Sequence, residues 1–192
     1  TIKIIIIIVP VAILILIFAS HSWLEPLVVL VVLGVGVLLN LGTNAFLPSV
    51  SFITLTIAAA LQLAISLDYS LFYIHRYYEF KDEGYSTKIA VHKAFKKSLP
   101  VVSASAITTM IGFVALFFMR YKIGLDIGIV LTKGIIFSYL SVIFLLPVIL
   151  IIADPLLEKL KHKHFMFNLG AFKKVFYKFR YLFLILFVGI LT

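Results

Sequence analysis

The sequence has no cysteine, which excludes disulfides and thiolate metal sites and leaves no redox compartment to read. Charge is scarce too. Asp, Glu, Lys and Arg make up 13% of its 192 residues, against about 25% in soluble domains, while 63% are hydrophobic. That balance excludes a soluble globular fold and implies an all-α polytopic membrane helical bundle. No nucleotide-binding glycine loop, nucleophile–base set or metal-ligand cluster is present, so no enzyme, cofactor or metal is expected. Acidic residues are the rarer charge, eight against seventeen Lys and Arg, for a net +9. The excess does not point to nucleic acid, because the basic residues fall between apolar runs, where they orient a membrane chain. A basic n-region and a small-residue cleavage site are lacking, so the first run reads as a span and not a signal peptide.

Apolar runs cover 2–19, 26–47, 51–75, 99–119 and 123–153, and another opens near 180. About 20 apolar residues cross a bilayer core. Five complete spanning helices plus a truncated sixth are expected. The chain opens on Thr1 and stops about a dozen residues into the last run, too few at 1.5 Å each to cross, and so reads as a fragment. The expected organisation is a five-helix bundle over 1–153 with a linker at 76–98. A basic amphipathic segment follows at 154–179, then the start of the next helix at 180–192. Pro10 is expected to kink the first span. Trp23 reads as an interfacial anchor, Gly34 and Gly36 as points of close helix approach, and 40–48 as a turn.

Thirteen of the seventeen basic residues lie in two segments, Arg76 to Lys97 and Lys159 to Arg180. Two spans separate them, so both face one side, which the positive-inside rule makes the cytoplasm. The chain is expected in the cell membrane (plasma or inner), multi-pass, with 76–98 and 154–179 cytoplasmic. Ser86 or Thr87 is expected to cap a short helix carrying Ile89, Ala90, Ala94 and Phe95 on the membrane surface. His162 and His164 stand at i, i+2 and do not share a helix face, which argues against a metal pair.

The third run holds one acidic residue, Asp68, in a stretch from Ser51 to His75 otherwise free of formal charge. An ionisable group there costs at least ~2.5–3.5 kcal/mol on insertion scales and marks a functional site by default. At 100° per residue Thr54, Leu61, Asp68 and His75 fall on one line. Gln62, Ser66, Tyr69, Tyr73 and Arg76 fall on an adjoining one. Such a polar flank must face other helices or a wet cavity. Apolar surroundings penalise the charged carboxylate, so a proton can load and leave, with the Tyr69 hydroxyl as donor or relay. The other reading of Asp68 is structural: a carboxyl that bonds neighbouring hydroxyls and holds the bundle together.

Gln62, Ser66, Tyr73 and His75 are candidates for support of the relay, and so are Ser105, Thr108 and Thr109 of the fourth run. There Ser98, Ser105, Thr108, Thr109 and Gly112 share a side suited to close packing. The fifth run carries Gly124, Gly128, Gly134, Ser138 and Ser141, again small, with Asp126 and Lys133 toward its outer end. Lys133 is expected to reach Asp126 or the headgroups.

The stretch Leu67-Asp68-Tyr69-Ser-Leu-Phe-Tyr-Ile-His-Arg76 resembles the fourth transmembrane helix of the MMPL branch of the RND transporter superfamily. So do Ala90-Val-His-Lys-Ala94, Ser103-Ala-Ser-Ala-Ile-Thr-Thr-Met-Ile-Gly-Phe113 and Leu145-Leu-Pro147 in their places. The resemblance covers nearly the whole chain, as helices two to six and the start of seven. It implies an exporter of lipids or hydrophobic compounds driven by the proton-motive force, with Asp68 and Tyr69 in the proton relay. It also implies protons, membrane lipids, a lipid or hydrophobic substrate and a second transporter half as partners. The chain departs from the pattern at Ala64-Ile-Ser-Leu67, where glycines are usual. The order of helices also resembles the sterol-sensing domain, which implies a lipid-binding or sensor module without transport.

Overall fold

The computed structural model describes residues 20, 22–47 and 50–160. The expected spans at 2–19 and 180–192, with Pro10, Pro48, His162, His164 and the 161–179 segment, lie outside them. Five helices follow in order: α1 (Glu25–Thr43), α2 (Phe52–Asp82), α3 (Thr87–Val114), α4 (Lys122–Leu140) and α5 (Leu146–Lys159). A π-helical turn, Ser141–Leu145, joins α4 to α5 without a break. Four segments are therefore long and apolar enough to cross a membrane: Glu25–Phe46, Phe52–Asp82, Thr87–Phe118 and Ile123–Lys159. Short connections make successive spans antiparallel. The α2–α3 turn and the end of α5 share one end of the bundle, called the basic end below.

The pattern of burial is inverted relative to a soluble bundle. On α2 the inward face carries Thr54, Gln62, Ser66, Ser70, Tyr73 and Tyr77, while Phe52, Ile53, Ile57 and Leu61 lie outward. Lipid tolerates the apolar side, and the polar groups find partners only on neighbouring helices. The apolar core fills the basic half, where Val28, Val32, Tyr73, Ile74, Ala94, Ile135, Leu146 and Leu150 pack together.

The linker expected at 76–98 is helical almost throughout. Helix α2 runs on to Asp82 because its buried line Tyr69, Tyr73, Tyr77 continues past His75. Gly84 then turns the chain at φ 89°, a left-handed conformation that glycine adopts freely. Helix α3 starts at once, with Ser86 as N-cap residue but without a side-chain cap bond. The stretch expected to form a separate surface helix is thus the first third of a single 28-residue helix, about 42 Å long. Ala90, Val91, Ala94, Ser98, Val102 and Ala106 form one buried stripe that keeps its phase across Pro100. The proline removes one backbone bond and does not end the helix.

Among the small residues, Gly36 meets Ser138 at a distance that a Cβ would reduce to 3.4 Å, a true close approach, whereas Gly34 has open space around it. Gly124 and Gly128 pack against Met119 and Phe117 of the turn between α3 and α4.

The candidate proton site and the polar seam behind it

Asp68 sits on the edge of the packed face of α2 and is exposed on this chain. Its line is not uniform: Thr54 is buried, while Leu61, Asp68 and His75 are exposed. Asp68 borders a cavity of about 280 Å³ between α2 and α3, with Ile65, Tyr69, Phe72, Val101, Val102, Ser105 and Thr109. Among the described residues it forms no ion pair or hydrogen bond. Tyr69 is buried beside it, its hydroxyl directed at Ser105 and Thr109 without completing a hydrogen bond to either. The site therefore brings together a carboxyl without a counter-ion among the described residues and three hydroxyl groups, in a hollow that is otherwise apolar.

The other relay candidates are not brought to Asp68. Gln62 and Ser66 face α4 on the opposite side of α2, where Gln62 Nε2 donates to Ser138 Oγ at 3.1 Å and Ser66 Oγ donates to the same oxygen. Tyr73 donates to the Val91 carbonyl at 3.0 Å. His75 pairs its Nδ1 with the Leu71 carbonyl of its own helix and is exposed. Thr108 and Thr109 donate to backbone carbonyls one turn back, Ala104 and Ser105. Thr108 does not reach the cavity. Of the small side of α3, Ser98 is buried and Thr109 half-buried, whereas Ser105, Thr108 and Gly112 are exposed and do not pack against the described residues, contrary to expectation.

Behind α2 lies a polar seam that the sequence did not reveal. Lys133 does not reach Asp126. Its Nζ donates to Asn44 Oδ1 at 2.5 Å and to the Asn40 carbonyl at 3.1 Å. Asn40 Nδ2 in turn donates to Gln62 Oε1 at 2.7 Å, which continues the chain of bonds to Ser138 and Ser66. Asp126 Oδ2 instead accepts from Ser51 N–H at 2.8 Å and from Thr54 Oγ1 at 2.7 Å. Helix α4 thus meets α2 at its N-terminus with an acid and α1 near its C-terminus with a base. Each sign matches the helix end that it faces.

Gly134 makes the seam possible. A Cβ there would stand 2.7 Å from Asn40 Nδ2 and 3.0 Å from Gln62 Oε1. Gly134→Ala is expected to break the buried Asn40–Gln62 bond and cost about 1–2 kcal/mol, read as a lower melting temperature in detergent. Gly34→Ala, with nothing within 4 Å, is the control and should not lower it.

A third cluster closes the basic end. Asp154 of α5 accepts from Tyr77, Thr87 and Lys81, the last at 3.2 Å, and Lys81 also pairs with Glu158 at 2.6 Å. Here the sequence carried only a weaker signal, an acid at the edge of an apolar run (Ile151-Ile-Ala-Asp154), whereas Asp68 stands well inside one.

Comparison with known proteins agrees with the architecture. The MMPL family model matches residues 1–171. In two strains of Mycobacterium tuberculosis, "Probable transport protein MmpL12" is 30% identical over 141 residues, which is 71% of this chain and 12% of that protein. "Putative membrane protein MJ1562" of Methanocaldococcus jannaschii is 31% identical over 106 residues, 53% of this chain and 27% of that protein. The matched part is thus a small fraction of each relative's length. With four segments among the described residues long and apolar enough to cross a membrane, and with the family model covering most of its length, the chain is a multi-pass membrane protein that belongs to the MMPL family of the RND transporter superfamily.

Proposed function

We propose that the chain is part of the membrane domain of an exporter of lipids or hydrophobic compounds driven by the proton-motive force. In this reading Asp68 carries the proton and Tyr69 is its partner. One observation carries the reading: a membrane-depth carboxyl without a counter-ion among the described residues, beside the hydroxyls of Tyr69, Ser105 and Thr109. A carboxyl held for structure alone would be engaged by its neighbours, and this one is not. Protonation neutralises it and changes which helix packing is favoured, while each charge crossing 100 mV supplies ~2.3 kcal/mol.

The exposed face of Asp68, Ser105, Thr108 and Gly112 is too polar and too small-sided for lipid, which supports a second transporter half lying against it. The basic end faces the cytoplasm by the positive-inside rule, and the membrane is the cell membrane. The apolar lining of the cavity (Ile65, Phe72, Val101 and Val102) favours one alternative, a lipid-binding module like the sterol-sensing domain, without transport. The two readings separate in energised vesicles containing the full-length protein. Export and proton counterflow should stop together when a protonophore collapses the gradient. Lipid binding with no proton flux would replace the pump by the sensor.

A further inference from the structure

Lys133 is unused by that mechanism, yet it is an ammonium inside the bundle with only neutral acceptors among the described residues. It lies seven residues along α4 from Asp126, about 10 Å deeper than the N-terminus of α2. It holds both Asn44 and Asn40, and from Asn40 the bonded chain Gln62, Ser138, Ser66 leads inward; Ser66 lies about 3 Å in height from Asp68, on the opposite side of α2. Several atoms along this path have no partner among the described residues: Asn44 Nδ2, Asn40 Oδ1 and, one turn past Ser66, Ser70 Oγ. Asn40 is only 2% exposed, and Ser70 is fully buried. Orphaned polar groups of this kind draw in water. Below them Ile74 and Val142, both buried in the apolar core, close the path.

We infer that this seam is a hydrated blind vestibule entered from the outer side, and that Lys133 is its charge-selecting residue, admitting water and rejecting protons and other cations. The inference rests on the pump reading for its purpose, which is to leave the α2–α3 hollow as the outer proton's route to Asp68. Its physics does not depend on transport. A fixed charge at the mouth of a narrow low-dielectric path is an established way to exclude cations. At about 10 Å and an effective dielectric near 20, one unit charge changes cation occupancy by roughly tenfold. Asp126 does not cancel it, because that carboxylate lies two turns outward and is engaged by Ser51 and Thr54.

The absence of native cysteine in this chain makes the test direct. Ser138→Cys places a thiol in the seam of the full-length protein in liposomes. Silver ion and the neutral methyl methanethiosulfonate are then added from the outer side, with modification of that position followed by mass spectrometry. The neutral reagent should react while silver is held back. Lys133→Gln should raise the silver rate about tenfold and leave the neutral rate unchanged, and Lys133→Arg should keep silver slow. Asn44→Asp guards against misfolding of the lysine variants: it keeps the acceptor for Lys133, adds a compensating charge, and should also admit silver. A silver rate unchanged in both Lys133→Gln and Asn44→Asp, at an unchanged melting temperature, would reduce Lys133 to a tie between α1 and α4. Failure of the neutral reagent to reach the thiol in any variant would show that the seam is not a vestibule. Neither result bears on whether Asp68 drives export.

Discussion

Asp68→Asn is expected to abolish proton-coupled export by the full-length protein, with a loss of about 10²-fold or more, and to leave insertion and melting temperature unchanged. The two halves of that expectation have separate physical sources. Asparagine keeps the shape of aspartate but binds and releases no proton near neutral pH, so the gradient loses its handle on the helix bundle. Stability is spared because Asp68 has no ion pair or hydrogen bond among the described residues to lose. It borders a cavity and does not fill a packed position. A structural aspartate would behave in the opposite way, with transport falling only as far as folding falls. Both quantities come from one preparation: export in energised vesicles, and thermal unfolding of the solubilised protein. Export at the parental rate would remove Asp68 from the mechanism.

Much of this arrangement was legible in the sequence, because membrane helices advertise themselves. Runs of apolar residues marked the four spans found among the described residues, and the 100° projection of α2 separated a polar flank that had to be covered. Gln62, Ser66, Tyr69 and Tyr73 are all buried, and Arg76 at the end of that line is half-buried. The same projection could not say against what. It set Gln62 and Ser66 beside Asp68 as support, whereas they turn toward Ser138, 76 and 72 residues away in the chain. Periodicity fixes a residue's bearing on its own helix. It does not identify the neighbour on that bearing, which is a property of how the helices cross.

The helix ends went wrong for a different reason. The charged residues from Arg76 onward read as a linker, because charge is a good marker of the membrane boundary. Helices do not stop at that boundary. Tyr77, Tyr78, Ala90, Val91 and Ala94 carry the buried stripes of α2 and α3 beyond it. Where Lys97 reaches Glu79 at 3.2 Å and Lys93 lies 3.4 Å over the Tyr85 ring, the charges themselves become part of the packing. Lys133 and Asp126 failed for a third reason. Placed seven apart on one face, they invite a pairing with each other, and only the fold supplies the competing partners, the ends of α1 and α2.

The second large effect is expected at Asp154→Ala. This carboxylate is 8% exposed, and it holds three elements at once: Tyr77 and Lys81 of α2, Thr87 at the start of α3, and its own helix α5. Removing it strands two hydroxyls and leaves the Lys81 ammonium, itself mostly buried, with Glu158 alone. Breaking one side of such a pair typically costs 3–5 kcal/mol. The retained Glu158 contact places this case near the lower end, about 3 kcal/mol, seen as a lower melting temperature and as proteolysis at the Gly84 turn. Two companions distinguish the latch from simple loss of volume. Asp154→Asn keeps an acceptor for Tyr77 and Thr87 and should recover part of the loss. Asp154→Leu combined with Lys81→Met should recover more, because it removes the stranded charge along with its partner, an exchange that is often neutral. A double variant as unstable as Asp154→Ala would mean that the hydroxyl bonds, and not the ion pair, hold the basic end together.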